Sequence, residues 1–433
     1  MQNVWHLWLS RTSLFKVSKL FCLWYPQRLT ALILKSLYLS NTDIRSLGWV
    51  FLGNAIRVAQ LLGLHRNDAT LQYPDVAEGE ARRRLWWTLY EFERSTAPSL
   101  ILANDRFSSI ANGCPASIHD DDFDTDLPID GHHSPGDYTP VGYLKCSVKL
   151  AQISGHIFKK MYSVPPQSSH KATGNRHIRR TIADLFGELV EWRHQVPSHL
   201  RIDSTGAAPV PNPAILRALA FLDLRFQYAI ISVTLPLLFR LVSAVKDGDF
   251  ESLSSESKSF ITQYSDACAQ SARSALQTLK LMHQNHLLNN VLWLDAFYIL
   301  STSMVLLLQY LRTSSNAEAY RVNECISILR HLQPRGIGRN VLNSLSDFAT
   351  FLGLDYLPPQ SPSRDNLQPL GENELRLYEL FNMTPSSAAT PEPGGPPSPE
   401  MGLGGGYISL GEGANDFAWM DQIIRMAAEY GLP

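Results

Sequence analysis

The chain has 433 residues, 45% of them hydrophobic and 18% charged, with 38 Lys and Arg against 40 Asp and Glu for a formal net charge of −2. That length and apolar content suffice for a substantial core. A chain so close to neutral has no global field drawing it onto nucleic acid, so any such contact needs a local patch, and no dense one stands out.

Residues 1 to 42 carry Arg11, Lys16, Lys19, Arg28 and Lys35 and no acid, a composition shared with mitochondrial presequences. Helical periodicity then covers 29 to 63. Within it Trp49, Leu52, Ile56, Ala59 and Leu62 recur at three- and four-residue spacings and share one face. Gly63 suits the left-handed residue that ends a helix, with Leu64 placed to fold back on the last turn. The next helix spans 75 to 103. Asp75 with Glu78 forms a variant capping box after Pro74. Glu78 with Arg82 and Glu80 with Arg84 are i,i+4 pairs with the acid first, so the Arg82-Arg83-Arg84 run is partly neutralised in place. That favours a solvated helix face over two core tryptophans, Trp86 and Trp87, against a nucleic-acid or nuclear-import patch.

Further helical periodicity covers 142 to 162, 176 to 196, 213 to 246, 257 to 284, 288 to 312, 318 to 332 and 338 to 353. Loops rich in Pro, Gly, Asp and Ser separate the segments, notably 112 to 140 and 197 to 212. Strand-like alternation with hairpin turns is hard to find, and the predicted fold class is all-α. The most apolar run, Ala296 to Leu311, includes Ser301, Thr302, Ser303 and Gln309 and falls short of the roughly 20 apolar residues a spanning helix needs. It and Tyr228 to Val242, which contains Pro236, read as core helices, so no membrane association is expected. From Pro358 to Asn415 the composition turns to proline, glycine and serine, too poor in apolar surface to fold, apart from a short helix around Glu372 to Phe381.

The last segment, NDFAWMDQIIRMAAEYGLP, places Trp419 or Met420 with Ile423, Ile424 and Ala427 along one helical stripe. An amphipathic segment on a tether suits folding into a partner's groove, and Phe417, Trp419, Ile423 and Ile424 are the candidate partner-binding residues. A C-terminal helix docked on its own domain explains the pattern equally well.

Motifs that carry chemistry are missing. Asp120, Asp122, Asp124 and Asp126 alternate as in a calcium loop, but the sixth position from Asp120 is Thr125 and the twelfth is Gly131, not the required glycine and glutamate. His132-His133 has no second ligand cluster at a defined spacing, and His283 with His286 lies at a helix end. Gly402 to Gly406 follow a linker rather than a strand, with no phosphate-binding lysine after them. No G-x-S-x-G or H-E-x-x-H occurs. Cys22, Cys114, Cys146, Cys268 and Cys325 lie far apart, so no C-x-x-C pair opens a zinc site. Scattered cysteines suit a reducing interior. No catalytic residue, metal site or cofactor is expected.

The stretch from Gly48 to Arg94 resembles the signature of the regulatory domain of fungal zinc-cluster transcription factors of the xylanolytic-activator type. The residues that carry it are Ala59, Leu62, Gly63, Leu64, His65 and Arg66, then Glu80, Arg82 to Arg84, Leu85, Trp86 and Trp87, then Phe92, Glu93 and Arg94. The family's following loop reappears as Gly113, Pro115, Ile118, Asp120, Asp122, Asp124, Leu127 and Pro128, with Cys114 in place of its arginine and extra residues between Arg94 and Gly113. Leu189, Trp192, Pro197 and Leu200, the helix Leu224 to Leu238, and Cys268, Ala269, Ala272 and Arg273 resemble later elements.

The resemblance implies one multi-helix regulatory domain over 29–357, after an N-terminal segment 1–28 and before a linker 358–415 and a short amphipathic tail 416–433. It implies a nuclear regulator of RNA polymerase II transcription that is not an enzyme. The family's zinc cluster of six close cysteines is not in this sequence, so zinc and DNA contact are expected only through that missing module. Because Leu29 to Leu39 matches the family's first conserved helix, an internal start is preferred over a targeting peptide. The expected partners are the transcription machinery or a co-regulator, a small-molecule effector and a second copy of the chain. A stand-alone helical regulator that never contacts DNA and a helical enzyme of secondary metabolism are the alternatives.

Overall fold

The computed structural model describes residues 25–41, 45–67, 76–102, 117–129, 140–162, 175–202, 212–246, 248–289, 293–332 and 337–354. The α-helices among them are α1 (Tyr25–Ser40), α2 (Arg45–Leu61), α3 (Val76–Leu102), α4 (Tyr143–Ile157), α5 (Asn175–Gln195), α6 (Pro213–Lys246), α7 (Ser255–Gln284), α8 (Trp293–Thr313), α9 (Asn316–Leu332) and α10 (Ile337–Phe351). Described residues contain no strand, as the all-α expectation required. Asp75, Cys22, Cys114, His132-His133, Glu372 to Phe381, Gly402 to Gly406 and the tail residues Phe417, Trp419, Ile423 and Ile424 lie outside them.

Two compact units divide the chain. The first comprises residues 1–93 and 115–132, the second 94–114 and 133–433. In the first, α1 and α2 pack side by side. Gly48 makes that approach possible, since a Cβ there would sit 2.6 Å from Ser40 Oγ and 2.8 Å from its main-chain nitrogen. Ser36 Oγ donates to the Gly48 carbonyl at 2.8 Å across the same seam. On α2 the expected inner face is present: Leu52, Ile56 and Ala59 are buried, with Trp49 and Leu62 half-buried. The helix stops as the sequence indicated. Gly63 adopts φ 72°, and the Leu64 N–H reaches back to the Ala59 carbonyl at 3.0 Å while Leu64 itself is buried.

The second unit is built around α6 and α7, which lie against each other along most of their length. Asp223 on α6 meets Thr278 on α7 at 2.7 Å, and Thr234 meets Cys268. The partner number falls on one helix as it rises on the other, so the pair is antiparallel. Ala267, Ala269, Ala272 and Ala275 give α7 a slim buried side. Ser254 caps the helix N-terminus, accepting from the Ser257 N–H at 3.3 Å. α6 runs unbroken past Pro236.

The apolar segment predicted from Ala296 is longer than the sequence alone indicated. α6 and the stretch Leu294–Thr313 of α8 are each long and apolar enough to cross a membrane by length and composition, which corrects the expectation that both fall short. Their most apolar windows are 61% and 89% buried within the fold, which accounts for that apolarity as core packing. Cys268 and Cys325 are buried free thiols, and burial pushes each up to about 12. Such thiols act as small apolar fillers rather than nucleophiles.

Candidate functional site

Residues of the stretch from Ala59 to Glu93 converge on one place in the first unit, the face of α3 that carries the segment 117–129. Trp86 and Trp87 are buried, at 0% and 3% exposure, as is Tyr90. Phe123 from the segment inserts among all three, with ring centroids 5.5, 5.3 and 5.7 Å away in edge-on contacts. Such pairs add roughly 0.5–1.5 kcal/mol each beyond area burial. His65, just past the α2 stop, lies 5.9 Å from Trp86. Burial, and then the neighbouring Arg66 charge, push the His65 imidazole below its ordinary pKa.

Polar groups of the same helix hold the segment from end to end, three of them through its main chain. Glu93, 4% exposed, accepts the N–H of Ser117 at 2.6 Å and of Ile118 at 3.1 Å. Tyr90 donates to Asp120 at 2.7 Å. The Trp87 indole donates to the Asp126 carbonyl at 2.7 Å. Glu80, 3% exposed, accepts the Ile129 N–H at 3.0 Å. The segment therefore runs antiparallel to α3. Its other side is tied to the end of α2. Thr125 donates to the Leu64 carbonyl at 2.8 Å, and Asp124 accepts the Asn67 N–H at 3.0 Å.

The three arginines are engaged in the same framework. Arg83 and Arg84 both donate to Glu80, at 2.7 and 3.1 Å. Arg84 thus makes the expected i,i+4 pair. Arg82 does something that spacing did not show: it donates to the Leu62 carbonyl at 2.7 Å, capping the open end of α2. The run is half-buried rather than a solvated patch. The alternating aspartates likewise serve the chain itself, since Asp120 and Asp124 accept from Tyr90 and Asn67, and Asp124 lies 3.6 Å from Arg66. Among the described residues no group of three or more His, Cys, Asp and Glu is placed to hold a metal ion.

The later matching residues are core residues of the second unit. Leu189 and Trp192 are buried, and the Trp192 indole donates to the Cys146 carbonyl at 3.0 Å. Beside it Arg193 and Asp223, 3% and 2% exposed, form a buried ion pair at 3.6 Å. Asp223 also accepts from Thr278 and, at 3.4 Å, from Gln227. Cys268 and Ala272 line α7, while Arg273 reaches Glu318 on α9. The hydroxyl–carboxylate contact in the second unit's cluster, Thr278 with Asp223, is buried, at 0% and 2% exposure. What these groups do is hold helices and one long loop in a fixed register.

A sequence profile described as fungal specific transcription factor domain matches residues 2–194. The chain is 24% identical to an uncharacterised transcriptional regulatory protein of Schizosaccharomyces pombe over 65% of its length and 32% of that protein's. It is 25% identical to Activator of stress genes protein 1 of Candida albicans over 81% of its length and 35% of that protein's. Activator of stress genes 1 of Saccharomyces cerevisiae is 25% identical over 73% of the chain and 31% of its own length. The chain spans about a third of the length of these relatives. No solved structure matches it.

Proposed function

We propose that this chain, whose residues 2–194 carry a fungal-specific transcription factor domain, acts in the nucleus as the regulatory part of a regulator of RNA polymerase II transcription. The observation that carries the reading is the clamp on α3. The family signature from Ala59 to Arg94 is accounted for by a buried aromatic cluster and main-chain contacts, with no reactive pair among them. A rigid helical scaffold that presents or receives other segments fits that arrangement, and the relatives named as transcriptional regulators support it. DNA contact, with any zinc it needs, belongs to a module outside this sequence. The tail residues Phe417, Trp419, Ile423 and Ile424 are the proposed contact for a co-regulator, and a small-molecule effector and a second copy of the chain are further proposed partners.

The test is a fusion of the chain to a heterologous DNA-binding domain, read on a reporter with measurable basal output. A change in output that Trp419→Ala diminishes supports the proposal. A nuclear, well-expressed fusion that leaves output at the basal level overturns it.

A further inference from the structure

Three rungs join α7 to α9. Arg273 pairs with Glu318, Lys280 pairs with Glu324, and nearer the C-terminal ends the imidazoles of His283 and His331 meet edge-on. Partner numbers rise together on both helices, so the two run parallel. The first two rungs set opposite charges against each other. The third sets two like groups together, which repel whenever both are protonated, and burial followed by the neighbouring His331 and His286 depresses the His283 pKa. The pair makes chemical sense when something shared sits between the rings.

We propose that His283 and His331 form a two-histidine clip for a divalent transition metal of the zinc, nickel or copper type. The ring centroids stand 5.4 Å apart with planes inclined at 60°. A metal–nitrogen bond of about 2.0–2.1 Å, with about 1.1 Å from nitrogen to ring centre, sets each centroid about 3.2 Å from the ion, so a tetrahedral angle separates the centroids by about 5.2 Å. The observed 5.4 Å lies close to that separation, within the range of ordinary edge-on ring contacts as well. The His331 tautomer matches too. Its Nδ1 lies 2.7 Å from the Ser327 carbonyl, which can only accept, so Nδ1 carries the proton and Nε2 keeps its lone pair for a metal. His283 is half-buried and His331 exposed, so an ion reaches the pair from solvent, and water fills the remaining coordination positions. Two protein ligands are fewer than a structural site uses, in keeping with the absence of any larger ligand group among the described residues. The consequence is a reversible staple between the C-terminal turns of α7 and α9.

The experiment uses the full chain freed of metal by chelation. Zn²⁺ and Ni²⁺ are titrated against a metallochromic indicator, and thermal unfolding is followed with and without metal. The clip predicts binding that weakens about tenfold or more in both His283→Ala and His331→Ala and is unchanged in His194→Ala, a surface histidine on α5. Metal should raise the melting temperature of the parent and of His194→Ala but not of the two clip variants. Equal metal affinity in parent and clip variants overturns the proposal, since the chain has 13 histidines and other weak sites would then explain the binding. A chelated parent that melts well above both clip variants, with no increment from metal, also overturns it, since the stability then comes from the imidazoles themselves.

Discussion

The indole of Trp87 donates to the carbonyl of Asp126 at 2.7 Å across 39 residues of chain. A helix residue thus anchors a loop in the first unit by the one polar atom it possesses, while its ring fills the core.

Replacing Trp86 or Trp87 by alanine should destabilise the protein by about 3–5 kcal/mol, as for other buried aromatic truncations. Trp87→Ala should be the worse, because it also leaves the Asp126 carbonyl without its donor. Arg83→Ala should cost about 1–2 kcal/mol, since Glu80 keeps Arg84 and the Ile129 N–H. Thermal unfolding of the three variants decides the order, and an Arg83 variant that melts lowest contradicts it.

Glu93→Gln removes a charged acceptor from two main-chain donors and should destabilise by about 1.5–3 kcal/mol. Hydrogen exchange should report the loss first at Ser117 and Ile118. Uniform acceleration across the first unit would instead mean that Glu93 has no specific hold on the segment.

Asp223→Ala removes the carboxylate beside buried Arg193 and should cost about 3–5 kcal/mol, more than removal of an exposed pair such as Arg180–Asp184. Chemical denaturation measures both. Similar midpoints for the two variants would show that the buried pair is solvated.

Two histidines set a pH response. His65 and His283 are both depressed below the ordinary value of 6.5 in the folded chain. A depressed folded pKa means that their contribution is fully present above about pH 6.5 and is lost as pH falls through the folded values, where the native state must take up protons. Around His65 the charged neighbours are Arg66, Asp124 and Asp122; around His283 they are His331, His286 and the Lys280–Glu324 pair. Melting temperature should therefore fall between pH 7 and pH 5, and less steeply in His283→Gln. A parallel decline in parent and variant would exclude His283 as a contributor.

The 433-residue chain should show no sequence-specific DNA binding at physiological salt. Its one arginine run is committed to Glu80 and to the Leu62 carbonyl. Enrichment of one sequence from a randomised duplex pool in an anisotropy assay would contradict this.

Helical periodicity located the elements well because it records which side of a helix meets the core. The expected segment 213–246 coincides with α6, and the stop at Gly63 shows the anticipated positive φ. The burial of Trp86 and Trp87 followed from the same pattern. Contacts between distant segments left no such trace. The Glu80–Arg84 pair was legible from its spacing, whereas nothing local in the sequence indicates that Glu80 also receives the Ile129 N–H, or that Arg82 turns to the end of α2. His283 was weighed against His286, its neighbour in sequence, whereas the ring it meets at 5.4 Å is His331 on another helix. Spacing rules detect partners a turn apart, and tertiary pairs fall outside their reach.

The grip of Glu93 on Ser117 closes the mouth of everything between them. Whatever number of residues follows the end of α3 at Leu102, the chain must return to this hydrogen-bonded point, and doubling the length of such a connection adds only about 0.6 kcal/mol of closure entropy. The signature helix and its strapped segment can therefore stay unchanged while the chain between the end of α3 at Leu102 and Ser117 lengthens or shortens. That makes this span a place where evolution or an engineer can graft new sequence without redesigning the core.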